Sequence, residues 1–158
     1  MATTSAGILP YRFAPDGTIE VLLVHPGGPF WRGRDEHAWS VAKGEHGPDE
    51  DPRDAAEREF TEELGFPAPD GSRVDLGEVH QSSGKIVRAW AVRVDDLPLE
   101  LMVSNQFELE WPPRSGTVQR FPEVDSAAWM TLAKARTRLV RAQIAFLDRL
   151  VDRAGEDT

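Results

Sequence analysis

The chain has 158 residues, with 27 acidic side chains against 18 Lys and Arg and a formal net charge of −9. A chain of this length forms one ordinary domain and buries enough surface to fold without covalent staples. It contains no cysteine, which excludes disulfides, thiolate metal sites and a cysteine nucleophile and fits a reducing cytoplasm, while the acidic balance speaks against extended nucleic-acid contacts.

In chain order, residues 1–10 lack the basic start and apolar length of a secretion signal. No apolar run approaches the ~20 residues of a membrane span, so no membrane association is expected. Strands are expected at 5–13 and 19–25, joined by the turn Pro15-Asp16-Gly17. The second is continuously apolar and should be buried on both faces. Residues 25–37 read as a Gly- and Pro-rich loop, and 39–42 as a short strand. A hairpin is expected from 74–82 and 85–94 around Ser83-Gly84. Residues 97–116 read as irregular, followed by short strands at 117–121 and 127–131. Residues 132–152 read as helical, with a break near Leu139 and an apolar stripe including Phe146, Leu147 and Leu150.

The acid is concentrated. Residues 44–63 hold nine carboxylates and two arginines, so this segment carries −7 of the −9. A solvated acidic helix is the plain alternative to chemistry here. Asp51-Pro52 is a helix start and Gly65 a stop, predicting a helix over 52–64. At ~100° per residue, Glu59, Glu62 and Glu63 share one sector and Ala56, Phe60 and Leu64 the neighbouring one. Three like charges in a turn and a half repel. Arg58 can reach Glu62 but cannot neutralise all three, which points to hard divalent cations on oxygen ligands.

Gly44, Glu50 and Arg58-Glu59-Phe60-Thr61-Glu62-Glu63-Leu64-Gly65-Phe66 stand at the spacing of the Nudix box, G-x5-E-x7-R-E-U-x-E-E-x-G-U, where U is a bulky apolar residue. The chain thus resembles the Nudix hydrolases. The order of elements is similar to that family's α/β/α sandwich, an α+β fold with a mixed sheet between helices. One domain over 5–152 and a frayed tail over 153–158 are expected. The resemblance implies cleavage by water of a nucleoside diphosphate linked to another group, assisted by Mg2+ or Mn2+. It implies Glu59, Glu62 and Glu63 as metal ligands, with the carbonyl of Lys43 adding one. Glu50 would support the loop–helix–loop through Arg58, and Gly44 and Gly65 would be conformational. A further carboxylate in many members precedes a Trp by six residues; Glu123, ahead of Trp129, takes that place as ligand or general base.

Substrate choice lies outside the box. Lys43-Gly44 resembles the junction of asymmetric diadenosine tetraphosphate hydrolases, although Ala42 stands where those usually have Pro. The loop 25–31 and residues 110–114 resemble bacterial predicted nucleotide pyrophosphohydrolases. Trp31 and Trp111, on loops, are candidates to stack a base. Lys43, Arg32 and Arg114, with Lys85 and Arg88, are candidates for the polyphosphate, solvated surface being the alternative for all but Lys43. Trp39, Trp90 and Trp129 are expected in the core, and His25 and His46 as loop hydrogen-bonders. A nucleotide-sensing module of the same fold is the alternative to an enzyme, but the intact glutamates disfavour it. An isomerase of that fold would use a cysteine. A small nucleotide is the expected partner, and a homodimer is possible by family habit.

Overall fold

The computed structural model describes residues 3–154. Its spine is β1 (Thr4–Phe13), buried along residues 5–11 as a strand covered on both faces must be. β2 (Ile19–Pro26) follows, buried through residues 21–25. Then come β3 (Ala42–Glu45), α1 (Pro52–Leu64), β4 (Val74–His80) and β5 (Ile86–Arg93). β6 (Gln106–Glu110), β7 (Val118–Pro122), β8 (Val124–Thr131), α2 (Leu132–Arg138) and α3 (Ile144–Ala154) complete the order. The mixed sheet runs β4-β5-β1-β2-β8, with β3 also on β1, while β6 and β7 form a separate ribbon. β5 lies parallel to β1 along residues 4–11. The other edge of β1 is divided: β3 pairs with Ser5–Ile8 and β2 with Tyr11–Phe13, both antiparallel.

Alternating side chains send β1 to two cores. Ala6 and Ile8 join Leu22, Val24, Phe60 and Leu64 beneath α1. Leu9 and Tyr11 join Leu23, Phe146, Leu147 and Leu150 beneath α3. The result is the α+β sandwich expected. Trp39 and Trp90 are buried, and Trp129 is half-buried under the Arg12 guanidinium, 4.2 Å from its ring centre. Among the described residues no helix is long and apolar enough to cross a membrane.

α1 has the predicted ends. The Asp51 carboxylate accepts the N–H groups of Arg53 and Asp54 at 2.9 and 3.3 Å. Gly65 takes a left-handed φ of 84° and donates its N–H to Thr61, and a Cβ there would lie 2.5 Å from the Val103 carbonyl oxygen.

Two strand expectations are corrected. The strand placed at 39–42 is displaced to Ala42–Glu45 by its register with Ser5–Ile8. Trp39 and Ser40 form isolated bridges to Leu139 and Val24. The segment 97–116 contains β6, which pairs with β7 from Gln106↔Pro122 to Glu110↔Val118. The helical region past 131 divides into α2, a 3-10 turn at Arg141–Gln143 and α3. Its break falls at Leu139, as expected, because Trp39 donates to Arg138 and accepts from Val140, both at 2.8 Å. α3 extends through Arg153 to a buried Ala154; the last four positions of the expected tail lie outside the described residues.

Candidate active site

The site forms where α1 meets β3 and the turn between β7 and β8. α1 places Glu59 and Glu63 along its sheet-facing side, and Glu59 is only 8% exposed. Gly44 of β3 makes this possible: a Cβ on it would lie 1.9 Å from the Glu59 carboxylate. The glycine therefore leaves the Glu59 carboxylate in place by close approach, not through a left-handed backbone, and a larger residue would have to displace that carboxylate.

Glu63 is held from the other side, where its Oε1 accepts the Lys43 N–H at 3.2 Å. Glu123 arrives on the turn between strands. Asn105 ties that turn to α1: its N–H donates to the Glu62 carbonyl at 2.9 Å and its carbonyl accepts the Glu123 N–H at 2.8 Å. Gly27 donates to the Glu123 carbonyl at 3.0 Å. Oxygens of Glu59, Glu63 and Glu123 thus lie within 4.8 Å of one another.

Three carboxylates this close resist ionising together. Burial, reinforced by Glu59 and Glu123, pushes Glu63 up to about 8, against the pull of Lys43. Burial also raises Glu59, which Arg58 opposes, and raises Glu123, with Glu62 adding to it. Such a donor set fits a hard divalent cation. It is all oxygen, and oxygens ~2.0–2.6 Å from one ion can be no more than about 5 Å apart.

Glu62 is placed differently. It pairs with the Arg58 guanidinium at 3.2 Å and stands apart from the converging three. Arg58 also makes a two-point contact with Glu50, both bonds 2.9 Å, and reaches Glu59 at 2.8 Å. The Glu50 bond draws the Glu50 carboxyl below its ordinary range. Thr61 is exposed, as expected of the variable box position.

A cavity of about 220 Å³ opens beside Glu63 and Glu123. Val24, Val124 and Val140 form apolar wall, and Trp31, Lys43 and Lys85 contribute as well. Burial and the neighbouring Lys85 charge lower the Lys43 ammonium from its ordinary value. Lys85 also pairs with Glu45 at 3.5 Å.

Four expected substrate contacts are not on these walls. Trp111 packs edge-on against Phe30, ring centres 5.4 Å apart, and so braces the loop that carries Trp31. Arg114 is exposed in the turn of the β6–β7 ribbon, and Arg32 is exposed beside Trp31. Arg88 is engaged by Asp75 at 2.9 Å and lies over Trp90. Both histidines are hydrogen-bonders as expected, but His25 lies buried on β2 rather than in a loop. His25 bridges Asp125 and the Arg34 carbonyl, and His46 bonds the Gly47 carbonyl.

Sequence reasoning missed Asn105, which positions Glu123, and a polar group on the cavity wall made of Ser40, Gln81 and Gln143. A glutamine opening the apolar stripe of α3 was the available signal for Gln143.

Fold and site together define an α+β protein that gathers carboxylates at the mouth of a cavity. The chain belongs to the Nudix family: the NUDIX domain matches residues 1–150. It is a Nudix hydrolase, a family whose members generally use divalent metals. No curated protein matches the chain. Among solved structures it is similar to C. elegans Ap4A hydrolase in a binary complex, at 22% identity and a TM-score of 0.64, covering 96% of each chain. It is also similar to a mutT/nudix family protein from Listeria innocua, at 17% identity and 0.63, covering 98% of this chain and 95% of the other. The NUDIX domain of Shewanella oneidensis NrtR, complexed with ADP ribose, matches at 16% identity and 0.59, over 99% and 88%.

Proposed function

We propose that the protein is a metal-dependent pyrophosphohydrolase that cleaves a nucleoside diphosphate linked to another moiety, by attack of water on phosphorus. Dinucleoside polyphosphates, nucleoside triphosphates and nucleotide sugars are the candidate substrates. The observation that carries this reading is the convergence of Glu59, Glu63 and Glu123 at the mouth of a cavity that also holds Lys43 and Lys85.

An acidic cluster alone would repel a polyphosphate. Mg2+ or Mn2+ bound there would join carboxylate to phosphate oxygens, orient the water and stabilise the leaving oxygen. Glu59 and Glu63 are the proposed ligands from α1, with the Lys43 carbonyl as a further oxygen. Glu62 is proposed as a ligand that must leave Arg58 to serve. Glu123 holds an oxygen beside both Glu59 and Glu63. It serves as a ligand or takes the proton of the attacking water at that oxygen. The Lys43 and Lys85 ammoniums bind phosphate oxygens, and Trp31 offers an aromatic wall to a base.

The test incubates the protein with Mg2+ or Mn2+ and a panel of the three substrate classes in 18O-labelled water. Turnover of one class, with label in one product phosphate, supports the reading and fixes the attacked phosphorus. Tight binding of one compound with no turnover of any would replace it with the sensing module.

A further inference from the structure

The cavity contains a polar cluster that the carboxylate site does not use. Gln143 is fully buried. Its Oε1 accepts the main-chain N–H of Val41 at 3.0 Å, a donor whose direction the backbone fixes. Its Nε2 therefore faces the other way and donates to Ser40 Oγ and Gln81 Oε1, each at 3.0 Å. The Ser40 hydroxyl proton is directed to the Val41 carbonyl at 2.8 Å. That bond takes one lone pair of Gln81 Oε1 and leaves both protons of the Gln81 amino group to a ligand, so the amide offers chiefly donors. The three residues line the cavity, although Gln143 stands 62 positions from Gln81 and 103 from Ser40.

Lys43 and Lys85, the charged groups on this wall away from Glu63 and Glu123, are assigned to the phosphates, so the Gln81 amino group is the donor left to meet a base. A ligand's carbonyl oxygen finds a partner on such a wall. An exocyclic amino group meets another donor, and two desolvated donors face to face are costly. Trp31, 39% exposed on the same cavity, supplies a flat wall suited to a planar ring.

We propose that this cavity selects a nucleotide whose base carries a carbonyl where adenine and cytosine carry an amino group. Gln81 is the specificity-determining residue, and Gln143 the positioning residue that turns its amide. The proposal rests on the nucleotide-hydrolase reading above for what enters the cavity.

Binding of inosine 5′-diphosphate and adenosine 5′-diphosphate with Mg2+, measured by calorimetry, tests it. The two share ribose and phosphates, so metal and lysine contributions cancel in the ratio. The inosine compound should bind about tenfold tighter. Gln81→Glu keeps the bond from Gln143 through one oxygen and presents an acceptor with the other, so the ratio should fall below one. Gln143→Leu should bring the ratio towards one; should it fail to fold, Gln81→Glu decides alone. A merely structural role would move stability and leave the ratio unchanged. Equal affinities in the native protein, binding of neither diphosphate, or an unmoved ratio in Gln81→Glu overturns the proposal. Base preference without turnover on the labelled-water panel would remove the hydrolase reading and keep this one, and turnover without base preference would do the reverse.

Discussion

Two helices cover opposite faces of the same sheet, and they are built by different rules. α3 buries only Phe146, Leu147, Leu150 and Ala154. Its Arg149 donates outward to the carbonyls of Leu76 and Glu78 at 2.9 and 2.8 Å. These contacts favour stability. α1 buries Ala55, Ala56, Phe60 and Leu64, but among them also Glu59. Its caps and glycine-lined neighbours then hold carboxylates in positions where they repel. A local rule broken on one face and kept on the other marks where stability has been exchanged for chemistry.

The sharpest way to break this contrast is Glu63→Gln. Turnover should fall by ~10²–10⁴-fold with the fold intact, measured as kcat beside a thermal melt; near-normal hydrolysis at saturating Mg2+ would falsify the assignment of Glu63. Leu150→Ala probes the other face. It should cost about 2–5 kcal/mol of stability, read by urea unfolding, while the folded fraction turns over as before. Gly44→Ala should affect both properties, because its Cβ must displace the Glu59 carboxylate. A loss of ~1–3 kcal/mol is expected, with weaker Mg2+ activation in a metal titration. An undiminished response to Mg2+ would mean that Glu59 is free to move.

The proton on Glu63 gives a smaller, graded effect. Burial raises this group from 4.5 to about 8, so the folded protein keeps a proton that the unfolded chain releases. Its contribution to stability is full below about 4.5 and is lost as pH rises through about 8. Metal-free protein should therefore lose Tm across that window. Mg2+ should restore most at the upper end, where its ligands are deprotonated. The same slope in Glu63→Gln would place the proton elsewhere. The smallest expected effect is Asp51→Ala, about 1 kcal/mol for a lost cap, seen as a modest fall in Tm with kcat unchanged.

What was legible in the sequence follows the range of the forces involved. The ends of α1 were readable because caps act over three or four residues, through Asp51 and Gly65. The convergence of its carboxylates was half readable. Periodicity grouped Glu59, Glu62 and Glu63, but not the choice between facing Glu123 and facing Arg58, which depends on a turn brought in by Asn105. β6 is hard to read from sequence although Phe107 and Leu109 alternate with polar neighbours, because Pro112-Pro113 just past its end mark a loop. The register of β3 was set by β1, nearly forty residues away (Ser5 against Glu45), and no local signal near Trp39 encodes it. The Gln143 network joins segments whose meeting only the fold creates.

The bare α-carbon of Gly44 also has a consequence for how substitutions combine. The space a side chain would need there is filled by the end of Glu59, so the two positions are not independent. Any residue larger than glycine at 44 conflicts with a glutamate at 59, whereas an aspartate at 59, shorter by one methylene, withdraws from the conflict. Gly44→Ala and Glu59→Asp together should therefore cost less stability than their separate losses add up to, the non-additivity expected of groups in contact.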